Sequence, residues 1–214
     1  SFSISGLLAT RPQPSGPKDL MSWRTLGQAA LPNTGSINHP NVSLIHRVDH
    51  IAIAVRSIAS AVPLYRDAFG GTLMYGGDDR RLGIRSAVYK LANYKIEILE
   101  PLSHESYLAD FIERHGEGFH HMTLAVDDVR KTISDLTNSG FEVVDTDLSS
   151  RELWQETFIR PSSGFGCLIQ VVKTPISWDE QHPTMTIEQV LNGEWLWWQS
   201  QIWHETMLPE DYPF

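Results

Sequence analysis

The chain has 214 residues, 41% hydrophobic and 20% charged, enough to build a globular core without disulfide staples. Its 17 Lys+Arg against 26 Asp+Glu give a formal net charge of −9, which argues against nucleic acid or an anionic membrane surface as partner. The single cysteine, Cys167, excludes an intrachain disulfide and a thiolate cluster, so a metal site would draw on the 9 histidines, on carboxylates and on amides.

No apolar run approaches the roughly 18 residues of a membrane-crossing helix, and no intact signal peptide is legible. The expectation is a cytoplasmic protein whose partner is a small-molecule substrate, with no nucleic acid and no membrane. Residues 1–45 read as an N-terminal arm, with Pro12, Pro14, Pro17 and Pro32 among Gly and Ser and at most one helical turn over Asp19–Arg24.

Residues 46–173 contain an internal repeat. Asp49-His50-Ile51-Ala52-Ile53-Ala54-Val55 returns as His120-His121-Met122-Thr123-Leu124-Ala125-Val126, an offset of 121 − 50 = 71. Each copy alternates as a strand does. His50 and His121 share a face with small residues, and a regular strand would turn His120 to the opposite face. A helix follows each strand, carried by Ile58, Val62, Tyr65 and Phe69 before Gly70-Gly71, and by Val129, Ile133 and Leu136 before Gly140. Three short strands then complete each copy, near 73–76, 84–91 and 95–99 and near 141–145, 155–159 and 167–172. The unit reads βαβββ, twice, as modules 46–117 and 118–173. In the last strands Glu97 follows His50 by 97 − 50 = 47 residues, and Gln170 follows His121 by 170 − 121 = 49.

Residues 174–214 form an extension holding Trp195, Trp197, Trp198 and Trp203. Ile187, Val190, Leu191, Trp195, Trp198 and Ile202 step at helical spacing, and Thr186 with Gln189 makes a capping box, so a docking helix is expected.

His and Glu on buried strand faces need partners, because an unpaired buried charge is costly. Spacing alone leaves two readings open: a metal site, or hydrogen-bonded core histidines repeated by duplication. In the first, two imidazoles, a carboxylate and an amide oxygen suit Zn, Fe, Mn, Co or Ni and disfavour copper(I) and iron–sulfur clusters.

The segments His46–Val55, Leu64-Tyr65-Arg66-Asp67, Lys95–Leu102 and Gly116–Met122 together resemble the vicinal oxygen chelate (glyoxalase/bleomycin resistance/dioxygenase) superfamily, nearest to its methylmalonyl-CoA epimerase-like branch. The resemblance implies an α+β fold of paired βαβββ modules in an incomplete barrel, flanked here by the arm and the helical extension. It implies a divalent metal on His50, Glu97, His121 and Gln170, and a homodimer. In the epimerase branch the last ligand is normally a glutamate that takes part in proton transfer; here it is Gln170. A second family carboxylate, aligned through Gly83 and Glu97, falls on Arg81, beside Asp78 and Asp79. The stretch before the penultimate strand reads Glu152-Leu153-Trp154-Gln155 and does not keep the family pattern. No acid or base is therefore assigned. From the Arg80, Arg81 and Arg85 cluster, Arg81 is the candidate clamp for a substrate carboxylate or phosphate, and Trp154 the candidate wall of the pocket mouth.

The function expected is a metal-dependent isomerase, epimerase or lyase acting on a small oxygenated acid, ketone or thioester through a metal-stabilised enolate-like intermediate. The alternatives are an Fe(II)-dependent dioxygenase using His50, His121 and Glu97, and a non-catalytic small-molecule-binding protein of the same fold.

Overall fold

The computed structural model describes residues 45–149 and 153–214; the expected turn over Asp19–Arg24 lies outside them. The first copy of the repeat runs β1 (Ile45–Ala54), α1 (Ile58–Val62), a π-helical turn (Pro63–Ala68), β2 (Thr72–Asp79), β3 (Ile84–Leu91) and β4 (Tyr94–Pro101). The linking helix α2 (Tyr107–His115) leads to β5 (Gly118–Val126), α3 (Val129–Asn138), β6 (Val143–Asp147), β7 (Gln155–Ile159) and β8 (Leu168–Lys173). The chain then adds α4 (Ile187–Leu191), β9 (Trp195–Trp198) and β10 (Gln201–His204).

All ten strands form one curled sheet in the order β10-β9-β2-β3-β4-β1-β5-β8-β7-β6. The duplication is visible in that order. β1 pairs parallel with β4, β5 pairs parallel with β8, and the two halves meet where β1 and β5 pair antiparallel. Strand β6 starts two residues later than the sequence suggests. Phe141 N–H donates to Leu136 O and Gly140 N–H to Thr137 O, so a Schellman cap with Gly140 at φ 85° holds Phe141 against the end of α3.

The small residues of β1 have a structural use. Ala52 and Ala54 leave space for α2, whose Leu108 and Ile112 pack on them with Ile84 and Leu99. The sequence reading passed over α2, although Ser106 caps it by accepting from Leu108 N–H and Gly116 stops it at φ 80°. On the other face Ile58 and Val62 of α1 pack with Ile96, Ile98, Val190 and Trp195.

The extension departs from the expected long helix. Its capping box is present, with the side chains and backbones of Thr186 and Gln189 bonded reciprocally, but the helix ends at Leu191. Gly193 at φ 77° turns the chain, and Gln199 and Ser200, at φ 49° and 60°, close a two-residue hairpin between β9 and β10. The tryptophans therefore lie on strands that lengthen the sheet beyond β2. Their i, i+3, i+4 spacing mimicked a helix, whereas aromatic side chains fit a pleated, half-buried surface.

Candidate functional site

Two β-bulges at the β1/β5 seam build the site. The register runs from Val48↔Leu124 to His50↔Thr123, leaving Asp49 as an extra residue; it then runs from Ala52↔His121 to Ile53↔Phe119, leaving His120 extra. A bulge re-aims side chains. Asp49 Oδ1 lies 3.1 Å from His50 Nδ1, and His120 Nδ1 lies 2.8 Å from His121 Nδ1. His120 thus turns to its neighbour's ring instead of the opposite face, which corrects the regular-strand expectation.

Each ring has its Nδ1 engaged and its Nε2 directed to Glu97. Glu97 Oε2 is 3.3 Å from His50 Nε2 and 3.8 Å from His121 Nε2. Parallel pairing of Ala52 with Glu97 and of Thr123 with Gln170 sets the last strands in equivalent registers. Thr123, the counterpart of Ala52 (123 − 52 = 71), donates its hydroxyl proton to Gln170 Oε1 at 2.6 Å and sits 2.9 Å from His50 Nε2. Because that single proton is committed, Thr123 accepts from His50 Nε2–H. The structure thus gathers His50, Glu97 and His121 directly and attaches Gln170 through Thr123 and His121.

The electrostatics are uneven across the pair. Burial works against a charged His50, but the Glu97 and Asp49 carboxylates outweigh it and push its pKa up to about 9. Burial dominates at His121 and pushes it down to about 3. Burial also opposes charge on Glu97 and Asp49. His50 holds Glu97 below its usual value, while His50, Lys95 and Arg47 hold Asp49 well below the carboxylate range.

Behind Asp49 the network continues. Lys95 Nζ lies 3.2 Å from Asp49 Oδ1 and 3.3 Å from the Tyr75 hydroxyl. Trp178, from the extension, donates Nε1–H to Asp49 O at 2.8 Å and lies under the Lys95 ammonium. Trp197 packs edge-on against Tyr75 and donates to Ser86 Oγ at 3.3 Å. The extension therefore packs on the residues that support Asp49 from behind.

His50, Glu97 and His121 offer ligand atoms that all lie within 4.8 Å of one another. Two imidazole nitrogens and a carboxylate, with both rings fixed from outside, fit a divalent ion. Gln170 adds an amide oxygen beside them. At the rim, burial and then the charges of Glu97, Asp79 and Glu156 push the Tyr107 hydroxyl up to about 12.

The two expected substrate contacts come from corresponding loops of the two halves. Arg81 is largely exposed, 4.0 Å from Asp79 Oδ2, and its charge reaches Glu156. Trp154 Nε1–H donates to Glu156 Oε2 at 2.8 Å. Arg85 is committed elsewhere, with Nε and Nη2 on Asp78 at 2.5 and 2.9 Å and Nη1 on Leu191 O at 2.6 Å, which pins the extension to the sheet. Sequence reasoning missed Asp49, Thr123, Tyr107 and Glu156 as site residues. The 71-residue offset carried a signal for the first two; Glu156 had none, since its position in the strand does not repeat.

A family model described as the Glyoxalase/Bleomycin resistance protein/Dioxygenase superfamily matches residues 49–158. The chain is 29% identical over 131 residues to an ethylmalonyl-CoA/methylmalonyl-CoA epimerase of Cereibacter sphaeroides, covering 60% of this chain and 98% of that protein. It is 26% identical over 129 residues to the mitochondrial methylmalonyl-CoA epimerase of Dictyostelium discoideum, covering 59% and 78%. The crystal structure of methylmalonyl-CoA epimerase from Mycobacterium tuberculosis superimposes with a TM-score of 0.57 at 27% identity, covering 63% of this chain and 91% of that one.

Proposed function

Because the chain belongs to the Glyoxalase/Bleomycin resistance protein/Dioxygenase superfamily, we propose that it is a metal-dependent isomerase of the epimerase kind. Its substrate would be a small acid, ketone or thioester with a hydrogen next to a carbonyl group. The relatives named as methylmalonyl-CoA epimerases support the reaction class. The observation that carries the reading is the buried His50–Glu97–His121 cluster with each imidazole fixed by the residue before it.

His50, Glu97, His121 and the Gln170 amide oxygen would hold the ion, and Zn, Fe, Mn, Co and Ni all suit that set. The ion supplies Lewis-acid stabilisation of negative charge developing on a substrate oxygen. The chain's residues do the rest. Asp49 and His120 orient the rings, Arg81 pairs with a substrate carboxylate or phosphate, and Trp154 walls the mouth. In the proposed step solvent water takes the proton from the carbon next to the carbonyl, the C–H pair forms the C=C bond of an enolate, and the C=O π pair moves onto oxygen. Return of a proton to the opposite face inverts the carbon. The reading extends to a homodimer.

The test is incubation of Zn-, Co- or Mn-loaded protein with methylmalonyl-CoA in D2O. Mass spectrometry should find deuterium at the carbon next to the thioester; no exchange with any of these ions would contradict the reading for that substrate. A second reading has its own observation: two histidines and one carboxylate also make the donor set of Fe(II) oxygenases. It predicts oxygen uptake by the ferrous protein and none by the zinc protein.

A further inference from the structure

We infer that Glu156 is a positioning residue that decides which end of the Gln170 amide faces the His50–Glu97–His121 cluster. The inference rests on the reading of that cluster as a metal site. Gln170 is buried, at 8% exposure. The two ends of its side chain are nearly identical in shape, but only the oxygen has a lone pair to offer a cation. Orientation is therefore a chemical decision made by the partners.

Besides the His121 ring, two partners bear on it. The first is the Thr123 hydroxyl, 2.6 Å from Oε1. With His50 Nε2–H on one lone pair, Thr123 can still accept from an amide N–H with the other, losing only its own donor contact, so it favours the oxygen without excluding the nitrogen. The second is Glu156. Its Oε2 accepts from Gln170 Nε2 at 2.6 Å and from Trp154 Nε1 at 2.8 Å. A carboxylate oxygen that receives two N–H groups accepts only. An inverted amide would set the Gln170 oxygen against it, and two acceptors at that distance in a half-buried place repel. Nε2 is thereby held outward and Oε1 inward.

The register makes this reach possible. Phe158 of β7 pairs with Gln170 of β8. Glu156, two residues earlier on β7, lies on the same face and meets the amide diagonally. Trp154 holds the receiving oxygen in place from the loop side. The His121 ring also hydrogen-bonds the Gln170 side chain; the nitrogen of a neutral imidazole donates or accepts according to its tautomer, so that contact does not fix the amide on its own.

The experiment is Co(II) titration of the metal-freed full chain, read by the visible ligand-field spectrum and by competition with a chelator, for wild type, E156Q, Q170E and the E156Q/Q170E double variant. Glu156→Gln is isosteric. Each E156Q chain also carries W154F, with W154F alone as control, because the Trp154 N–H would otherwise hold the oxygen of the new amide at the shared position; freed of it, that amide can accept or donate and no longer discriminates. Against that control, E156Q is expected to weaken Co(II) binding about 10-fold or more, in the range for loss of an outer support, and to alter the spectrum. In the Q170E background a carboxylate presents an oxygen whichever way it turns, so E156Q is expected to have no such effect there; the pair is also restored with its members exchanged. That double variant keeps the test readable if E156Q alone folds poorly. Affinity and spectrum in E156Q equal to those of the W154F control would overturn the inference and leave the metal-site reading standing. So would an equal loss in both backgrounds, which would mean that Glu156 acts by charge or by fold rather than through Gln170. Failure of the wild-type chain to take up Co(II) would remove the metal-site reading and this inference with it.

Discussion

Asp49 and His120 stand 120 − 49 = 71 residues apart and perform the same task in opposite halves of the sheet. Each is the extra residue of a β-bulge at the β1/β5 seam, and each engages Nδ1 of the histidine that follows it. Their chemistry differs. Asp49 is an anion tied to Lys95 and Arg47, whereas burial lowers the pKa of His120 and favours its neutral form. One ring is held by a charge and the other by a neutral imidazole.

Replacing Asp49 should therefore be costly in two ways. Asp49→Ala leaves Lys95 and a protonated His50 buried without their shared carboxylate. We expect a loss of about 3 kcal/mol or more in stability and at least about 10-fold in metal affinity. Urea unfolding and metal titration of the variant measure both.

His120→Ala should separate those effects. The lost contacts are the hydrogen bond between two imidazoles and the packing of the His120 ring on Phe111, neither involving a charge, so the stability change should stay at about 1–2 kcal/mol, while metal affinity falls about 10-fold as the His121 ring loses its support. Equal losses of stability in the Asp49 and His120 variants would contradict the assigned charges.

The metal-free protein should lose stability as the solution becomes alkaline. His50 is pushed up to about 9 from an ordinary value of 6.5. Its contribution is fully present below about 6.5 and is lost as pH rises through about 9. His121, pushed down to about 3, has the opposite sign: stability is lost as pH falls from about 6.5 toward 3. Chemical denaturation of chelator-treated protein across this range should show both flanks. Added zinc should abolish the alkaline flank, because binding at His50 Nε2 displaces the proton; an alkaline flank unchanged by metal would contradict the site.

Arg85→Ala should loosen the extension. The guanidinium joins Asp78 on β2 to Leu191 O at the end of α4. Its removal should cost about 2 kcal/mol, from charge-assisted hydrogen bonds, and should increase quenching of tryptophan fluorescence by acrylamide, since Trp195 is buried against the same sheet.

The strands and the three clustered donors were legible because duplication states the information twice. His50 and His121 are marked by a shared offset, and the alternation around each gives the strand and its open face. The bulges were not legible, because an extra residue breaks the two-residue period that reveals a strand, and no residue type marks it here. The aromatic spacing of β9 fits a helix as well as a hairpin, and only Gly193 hinted at the break. Glu156 could not be read at all. Its importance arises from a diagonal contact between β7 and β8, a tertiary relationship with no echo at the equivalent position of the first copy.

His50, Glu97 and His121, with Gln170, are proposed to hold one divalent ion. Elemental analysis of protein purified without added metal, beside a folded His50→Ala/His121→Ala variant, tests that assignment most directly. About one ion per chain is expected in the wild type and none in the variant. A wild-type chain that stays metal-free even after reconstitution, or a variant that retains the ion, would contradict it.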